Sequence, residues 1–382
     1  MEKLNRVIRS AFLGGGYGSA VGRAHYSAIN IDGNYRLSGG CFSADAERSI
    51  ATASLYRVDE KYVYEDEDKL LAADSTYDLL HILTPPDLHK NTILKALDKN
   101  ICIVSEKPLV TSVDEALEIR KKLRAKNGFM AVIYNYLGYP MIREMRHKIA
   151  HNYLGKIHEV RVKMPQEGFS KSKPDGSPFA PQIWRLKDYS IPTVSLDLGV
   201  HVHMLTKYLL GTRPLSVVGF EKSNGNFPGL VDSVNAIATY EDDVVANIWF
   251  GKSYLGHKNG LSIEVYGDKG SFTWRQVDPE NVKFTDKHGC QHIIDRSSTD
   301  IAVANHVRFE RFKVGHPSGF VEALSNYYSD IYDAYFTYQS MGYLESEECF
   351  GIDESLEGLL LMDAIHKSSL SSKTQVVETT PR

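Results

Sequence analysis

A strand-like apolar stretch that runs directly into a cluster of glycines constrains this chain more than any other feature. Residues 6–13 have the pattern of a buried strand, and glycines recur from position 14 to position 22, where a helix pattern opens. Such a turn lets the backbone pass close to a pyrophosphate, and the first N–H groups of the helix can bind the phosphates. Similar turns occur where nothing binds, and Ser19 occupies the place of the third glycine of the usual fingerprint. The residues expected to contact a dinucleotide here are Gly14, Gly16, Tyr17 and Gly18.

Length and composition exclude several classes of protein. A chain of 382 residues is long enough for two domains. Its 44 basic and 48 acidic residues include no long basic block, which argues against a nucleic-acid partner. The first apolar run stops at the glycines, so it predicts neither a signal peptide nor a membrane span. The four cysteines are scattered without a Cys-x-x-Cys pair, which is typical of reduced thiols, so we expect a cytoplasmic protein.

Strand and helix patterns alternate at short intervals through the first third of the chain, which predicts a doubly wound parallel sheet. After the first strand, the predicted strands are residues 35–43, 77–84, 101–105 and 129–134, and the predicted helices are 45–55, 89–98 and 112–126. Ligands bind at the carboxyl ends of the strands in such a sheet. The residues that the sequence places at those ends are Ser43, Thr84, Pro85, Glu106 and Lys107.

The end of the second strand bears on the choice between NAD and NADP. An acidic residue there binds the ribose hydroxyls of NAD, whereas a neutral residue with a nearby arginine can admit the 2′-phosphate of NADP. The strand ends in Ser43, and Arg48 follows one helical turn later, which suits NADP. Asp45 lies close enough to suit NAD. The sequence leaves the choice between the two cofactors open.

Lys107 lies between Glu106 and Pro108, directly after a buried strand. Pro108 disfavours a helical conformation at Lys107 and so directs its side chain toward the ligand end of the sheet. A surface Glu–Lys pair would have the same sequence and would contribute little to stability. A lysine at the ligand end could donate a hydrogen bond to a substrate oxygen and stabilise an alkoxide. We therefore interpret Lys107 as a catalytic candidate.

The character of the chain changes after residue 134. The first elements predicted there are a helix at 140–151, a strand at 156–164 and a polar loop at 168–181. Strand patterns separated by polar turns then dominate residues 215–285, and they predict an open, mainly antiparallel sheet. The outer face of such a sheet needs a cover, which a second subunit can supply. Helical patterns return at 320–341 and 355–369.

These patterns predict two domains. Residues 1–134 would form a Rossmann domain that binds the dinucleotide. Residues 135–382 would form an α+β domain that binds the substrate and makes the oligomer, although its last helices could pack back on the first domain.

Asp197, Gly199 and His201 form the most informative pattern of the second half. At the start of a helix, residues four apart share one face, and Gly199 between them leaves room for a ligand. Histidine is well suited to accept a hydroxyl proton near neutral pH. An aspartate cap followed by a core histidine would give the same pattern. A metal site that adds His203 is disfavoured, because His203 points away from this face, so no metal is expected.

Other residues are candidates for contacts with a small ligand. The candidates for a sugar site, through stacking or hydrogen bonds, are Asn135, Trp184, Arg185 and His316. His89 could contact the nicotinamide end of a cofactor or could cap a helix. Each of these residue types also serves in packing. The sequence contains neither a Gly-x-Ser-x-Gly elbow nor a Walker loop, which argues against the commonest hydrolases and kinases.

Taken in order, these motifs resemble those of the Gfo/Idh/MocA oxidoreductases. The motifs are the glycine turn, Thr84-Pro85-Pro86 with His89, Glu106-Lys107-Pro108, Asp197-x-Gly199-x-His201, and Gly315-His316-Pro317. The resemblance implies a Rossmann domain, a second domain with an open sheet, bound NAD or NADP, and a homodimer or homotetramer formed through that sheet. It implies that Lys107 is the catalytic lysine, that His201 is the acid/base, and that Asp197 helps to orient the substrate. Substrates of the family are mostly sugars, polyols and nucleotide-linked sugars.

The resemblance therefore implies an NAD(P)-dependent dehydrogenase or reductase that transfers a hydride between nicotinamide and a secondary alcohol or ketone of a carbohydrate. Two other functions stay open. One is a glycosidase in which NAD is reduced and reoxidised within each cycle, and the other is a non-catalytic sensor that binds a dinucleotide and a partner protein. The presence of Lys107, Asp197 and His201 together argues against the sensor, since a pure binding protein does not need that set.

Overall fold

The computed structural model of this chain describes residues 6–379. Contacts within the chain divide it into two compact units. The first unit holds residues 6–110, with Asp114–Gly138 and Phe320–Ser355. The second unit holds Thr111–Val113, Tyr139–Gly319 and residues 356–379. The assignment of the dinucleotide to one domain and the substrate to the other stays a prediction.

The elements are numbered here in chain order. The helices are α1 (Ala20–Ile31), α2 (Ala46–Leu55), α3 (Glu67–Ala72), α4 (Pro86–Asp98), α5 (Val113–Ala125), α6 (Pro140–Ala150), α7 (Val200–Leu210), α8 (Phe320–Met341) and α9 (Ile352–Ser371). The strands are β1 (Ile8–Gly14), β2 (Tyr35–Cys41), β3 (Leu79–Leu83), β4 (Ile103–Ser105), β5 (Met130–Val132), β6 (Ile157–Pro165), β7 (Pro214–Lys222), β8 (Ser233–Tyr240), β9 (Val245–Gly251), β10 (Ser262–Gly267), β11 (Gly270–Arg275), β12 (Asp278–Asp286), β13 (Gln291–Ile294) and β14 (Gln375–Val376).

The first unit is built on a parallel sheet with the strand order β2-β1-β3-β4-β5. This order confirms the predicted doubly wound sheet. The direction of winding reverses at β1, because β2 lies on one side of it and β3 on the other. Such a reversal opens a crevice at the carboxyl ends of the strands, where ligands bind. β3 is buried at every position, as expected for an inner strand of a sheet covered on both faces.

The second unit contains a sheet with the order β13-β12-β11-β10-β6-β9-β8-β7-β14. Its neighbouring strands are antiparallel except for the parallel pair β6 and β9, which confirms the predicted open, mainly antiparallel sheet. Along β8, buried and exposed residues alternate, so one face of the sheet lies on the core and the other is open. On the core side, Gly219 of β7 lies so close to α9 that an added Cβ would meet Ile365 at 2.8 Å.

Several elements differ from the prediction. Helix α4 begins at Pro86 rather than at residue 89, because proline fits the first turn of a helix, where no hydrogen bond from its nitrogen is needed. The short elements α3, β13 and β14 were not predicted, since a few residues carry too little periodicity. Ahead of α7, Ser195–Gly199 form one turn of π-helix, where the sequence predicted an ordinary helix start.

Candidate active site

The glycine turn that follows β1 has the backbone that a close approach requires. Gly14 has φ 85° and Gly18 has φ 87°, a left-handed conformation that side chains disfavour. A Cβ at Gly14 would lie 2.9 Å from the carbonyl carbon of Leu83, and one at Gly16 would lie 2.6 Å from the carbonyl oxygen of Phe42. The turn therefore passes directly against the ends of β3 and β2.

The helix that follows the turn has its first N–H groups at the same edge of the sheet. Ser19 is the N-cap of α1, and its hydroxyl accepts a hydrogen bond from the N–H of Gly22 at 3.3 Å. A Cβ at Gly22 would lie 1.9 Å from the carbonyl oxygen of Gly15, so only glycine allows the helix to pack on the turn. Gly22 thus performs the packing role expected of the third glycine, which explains why Ser19 is tolerated. The cradle and the helix N-terminus fit a pyrophosphate.

The polar end of β3 is tied to the end of β4 through His89. Its Nε2 lies 2.8 Å from the carbonyl oxygen of Thr84, and its Nδ1 lies 3.1 Å from the carbonyl oxygens of Pro108 and Leu109. Burial lowers the pKa of His89, which is fully enclosed. Pro85 is exposed at the N-cap of α4. His89 therefore connects the two strand ends, and a direct contact with a cofactor stays a prediction.

The end of β2 shows how the predicted ribose contacts are arranged. The Ser43 hydroxyl accepts a hydrogen bond from the N–H of Asp45 at 3.1 Å. The Asp45 carboxylate caps α2 by accepting from the N–H of Arg48 at 2.7 Å, and the Arg48 side chain is exposed. The carboxylate that would select NAD thus already serves as a helix cap. On the neighbouring turn, Tyr17 is exposed and its N–H donates to the Thr52 hydroxyl at 2.7 Å.

Glu106 and Lys107 follow β4 directly and are half-buried. One carboxylate oxygen of Glu106 lies 2.7 Å from Nε2 of His25, and the other accepts the backbone N–H of Lys107 at 3.1 Å. Burial alone would raise the pKa of Glu106, but the hydrogen bond from His25, the charge that His25 carries when protonated and the neighbouring charge of Lys107 hold it below its usual value. Glu106 is therefore ionised at neutral pH, and it fixes the backbone at Lys107.

Two polar atoms at this edge of the sheet are buried without a hydrogen-bond partner among residues 6–379. They are the Thr84 hydroxyl, just after β3, and the side-chain nitrogen of Asn135, just after β5. Buried polar groups are nearly always hydrogen-bonded, so such atoms call for a partner beyond the described residues, such as a water molecule or a ligand. Their position, at the strand ends where a cofactor or substrate is expected, fits that requirement.

In the second unit, Asp197 is held between two cations. Its carboxylate accepts from Nε of Arg185 at 2.8 Å, and Nζ of Lys252 lies 2.8 Å from the same oxygen. Asp197 and Lys252 are 3% and 6% exposed. Lys252 also donates to the side-chain oxygen of Gln166 at 3.0 Å. The sequence did not single out Lys252, although its position directly after the apolar strand β9 is the signal that identified Lys107.

The other residues predicted to contact or act on the substrate differ in the element that carries them and in their exposure. Trp184 lies beside Arg185 in a short 3₁₀ turn, with the guanidinium 4.4 Å from the centre of the indole ring. His201 is buried in the first turn of α7, after the π-helical turn that carries Asp197. Such turns occur often at functional sites. His316 lies in an exposed loop before α8, where its Nδ1 is 3.2 Å from the carbonyl oxygen of Lys313.

The interpretation of Gly199 as space for a ligand was wrong. A Cβ there would lie 2.3 Å from the sulfur of Met362 and 2.9 Å from the ring of Phe250. Glycine is therefore required because α9 and β9 pack against this turn.

No helix among residues 6–379 is long and apolar enough to cross a membrane. No group of three histidine, cysteine or acidic side chains in that range is arranged to hold a metal ion.

Comparisons with known proteins agree with this architecture. Residues 8–134 match an oxidoreductase family with an NAD-binding Rossmann fold, and residues 142–273 match the Gfo/Idh/MocA C-terminal domain. An uncharacterized oxidoreductase, YfiI of Bacillus subtilis, is 24% identical over 343 residues, which is 85% of this chain and 84% of that protein. The glucose-6-phosphate 3-dehydrogenase of the same organism is 27% identical over 280 residues, 70% of this chain and 75% of the relative.

Among solved structures, an inositol dehydrogenase homolog from Azotobacter vinelandii, complexed with NADH and myo-inositol, superposes with a TM-score of 0.87. The two chains are 24% identical, and the match covers 97% of this chain and 98% of the other. At that identity the likeness demonstrates the fold. Together with the two family matches, it confirms the resemblance read from the sequence motifs. The chain belongs to the Gfo/Idh/MocA family of oxidoreductases, with an NAD-binding Rossmann fold at its N-terminus.

Proposed function

We propose that this protein is an NAD(P)-dependent dehydrogenase or reductase that acts on a secondary alcohol or ketone of a carbohydrate: a sugar, a polyol or a nucleotide-linked sugar. The observation that carries the proposal is the place of Lys107. It follows β4, which is separated only by β3 from the strand that ends in the glycine turn. A cofactor whose pyrophosphate lies on that turn can extend toward β4 across the strand ends.

The names of the relatives support a carbohydrate substrate. They include a glucose-6-phosphate 3-dehydrogenase, a 1,5-anhydro-D-fructose reductase and a levoglucosan dehydrogenase. The donors in the second unit suit the same class, because a guanidinium and an ammonium beside Asp197 can hydrogen-bond the hydroxyls of a sugar, and Trp184 offers a surface for its apolar face.

Each proposed catalytic residue has a separate role. The nicotinamide, when bound, supplies the acceptor or donor of the hydride. Lys107 donates a hydrogen bond to the substrate oxygen and stabilises the negative charge that develops on it. His201 accepts the hydroxyl proton during oxidation and returns it during reduction. Asp197 orients the substrate, and Arg185 and Lys252 hold its carboxylate in place.

The proposal is tested in two steps. Fluorescence titration with NADH and with NADPH measures affinity for each and decides the preferred cofactor. A panel of sugars, polyols and nucleotide-linked sugars is then assayed by nicotinamide absorbance. The Lys107→Met variant should lower kcat at least about 100-fold and keep the affinity for the cofactor nearly unchanged. Lys126→Met, which changes an exposed lysine at the end of α5, is the matched control and should behave as the wild type.

Three results would contradict the proposal. Unchanged turnover in Lys107→Met would remove the catalytic role of the lysine. Sugar release without net change of nicotinamide absorbance would favour the glycosidase. Tight cofactor binding without turnover on any member of the panel would favour a sensor.

We also propose that the open face of the second sheet pairs with a second copy of this chain. This face carries exposed apolar side chains, among them Phe220 at 60% and Ile237 at 54% exposure. A depression of about 520 Å³ lies along it, lined in part by Trp249 and Arg161. Exposed apolar patches of this kind mark interaction surfaces. Sedimentation velocity should give a dimer or tetramer, and a monomer at all concentrations would overturn this proposal.

A further inference from the structure

Five polar side chains of the first unit form a continuous hydrogen-bonded chain that ends on the carboxylate next to Lys107. The chain runs from Ser10 to His81, Tyr328, His25 and Glu106. The Ser10 hydroxyl lies 2.9 Å from Nε2 of His81, and Nδ1 of His81 lies 3.2 Å from the Tyr328 hydroxyl. That hydroxyl lies 2.6 Å from Nδ1 of His25, whose Nε2 lies 2.7 Å from Glu106.

The members of this chain come from distant parts of the sequence and lie in the core. Ser10 is on β1, His81 on β3, His25 on α1 and Tyr328 on α8, and each is at most 1% exposed. Burial lowers the pKa of His81 to about 3 and raises that of Tyr328 well above its ordinary value. Both side chains are therefore neutral near pH 7. Four polar groups in a core are retained only when their hydrogen bonds are satisfied.

When His25 is neutral, the donors and acceptors of the five groups allow only one direction of donation along the hydrogen-bonded chain. The Glu106 carboxylate only accepts, so His25 donates from Nε2 and accepts at Nδ1. The proton accepted there is that of the Tyr328 hydroxyl. The Tyr328 oxygen is then free to accept from Nδ1–H of His81, whose Nε2 accepts from the Ser10 hydroxyl. All four hydrogen bonds point toward Glu106, and chains aligned in this way strengthen each member.

We infer that His25, Tyr328 and His81 are positioning residues, which orient the Glu106 carboxylate and through it the backbone that carries Lys107. The second oxygen of Glu106 accepts the N–H of Lys107 at 3.1 Å, so a carboxylate that turns must move this backbone or lose the bond. His25 lies on α1, the helix whose first turn faces the glycine cradle, so the same chain ties the lysine to the helix expected to bind phosphate. The catalytic meaning of this positioning rests on the proposed function.

The first test needs neither cofactor nor substrate. Imidazole ¹⁵N spectra of the full chain near neutral pH should place the proton of His81 on Nδ1 and that of His25 on Nε2, with Ser10→Ala and single histidine substitutions used for assignment. Tyr328→Phe should shift the Nδ1 resonance of His25 and the backbone amide of Lys107. Tyr35→Phe is the matched control, because the Tyr35 hydroxyl donates to the backbone carbonyl of Tyr328 at 2.6 Å and not to the chain.

Two outcomes of that measurement would overturn the inference. One is a proton on Nε2 of His81 together with two protons on His25, since the three hydrogen bonds from Ser10 to His25 would then point away from Glu106 and only the bond from His25 would still be donated to it. The other is a Lys107 amide that does not respond to Tyr328→Phe, or that responds equally to Tyr35→Phe.

The second test is kinetic. Tyr328→Phe should lower kcat roughly 10-fold to 100-fold and leave the KM for the cofactor within twofold of the wild type, since a misdirected reactive group costs about that much. His25→Gln retains a donor near the Nε2 position and should recover most of the activity that His25→Leu loses. Equal losses in those two variants, or a kcat unchanged in Tyr328→Phe, would refute the positioning role. A wild-type protein without dehydrogenase activity would refute the proposed function instead, and the spectra would still decide the direction of the chain.

Discussion

The pairing of Asp197 with two cations gives a quantitative prediction. The Asp197 carboxylate contacts the guanidinium of Arg185 and the ammonium of Lys252, and the Lys252 side chain is 8% exposed, whereas the Arg185 side chain is 26% exposed. Asp197→Asn would remove the negative charge that lies 2.8 Å from the buried ammonium. Breaking a buried pair in this way costs about 3–5 kcal/mol. Lys252→Met keeps most of the volume of the side chain and leaves Asp197 paired with Arg185, so we expect the free energy of unfolding to fall by about 1–2 kcal/mol.

The double variant decides whether the charges are responsible. Asp197→Asn combined with Lys252→Met removes both members of the buried ion pair, so it should be more stable than Asp197→Asn alone, with a coupling of about 1–3 kcal/mol. The assay is urea unfolding followed by tryptophan fluorescence. The 3 tryptophans are Trp184, Trp249 and Trp274, and all lie in the second unit, so the signal reports on that unit. Additive losses within about 0.5 kcal/mol would refute the reasoning.

Three further predictions concern other parts of the chain. His81 stays neutral in the folded state down to about pH 3 but takes up a proton near pH 6.5 when the chain is unfolded. The free energy of unfolding should therefore fall as the pH drops below about 6.5, by about 2 kcal/mol at pH 5. Circular dichroism in urea should show a smaller fall for the His81→Asn variant. Gly22→Ala should weaken NADH binding at least about tenfold, because the added Cβ would meet a backbone carbonyl oxygen at 1.9 Å. Gly33→Ala is the control: φ is 71° and the space around it is open, so it should cost only about 1 kcal/mol of stability and leave the NADH affinity unchanged. Ile237→Asp on the open sheet should reduce the oligomer to monomers in sedimentation velocity, while Val277→Asp, at 73% exposure between β11 and β12, should not.

The features that could be predicted from the sequence are those that local residue patterns determine. Alternation of strands and helices indicated the parallel sheet, and the polar residues after each strand indicated its ligand edge. The contact of Gly14 with the backbone at Thr84, where an added Cβ would meet the nitrogen at 3.0 Å, follows from that topology alone. Similarly, Asp45 was placed correctly at the start of a helix because a capping residue acts within one turn.

Contacts between residues that are far apart in the sequence could not be predicted from local patterns. His25 and Tyr328 are 303 positions apart, and nothing in the local sequence of α8 indicates that one of its tyrosines contacts α1. His81 offered a weak signal, since a histidine inside the run Leu79–Leu83 needs buried partners. The packing of Gly199 against Met362 was equally hidden, because α9 lies far along the chain.

The central claim, that the protein moves a hydride between a carbohydrate and nicotinamide, is tested most directly by isotope transfer. An active carbohydrate from the panel, deuterated at its carbinol carbons, is incubated with the oxidised cofactor, and the reduced cofactor is examined by mass spectrometry and proton NMR. The account predicts one deuterium at C4 of each reduced nicotinamide, formed at a rate that falls at least about 100-fold in Lys107→Met. Deuterium that remains on the sugar or exchanges into water, with no deuterated cofactor formed, would contradict it.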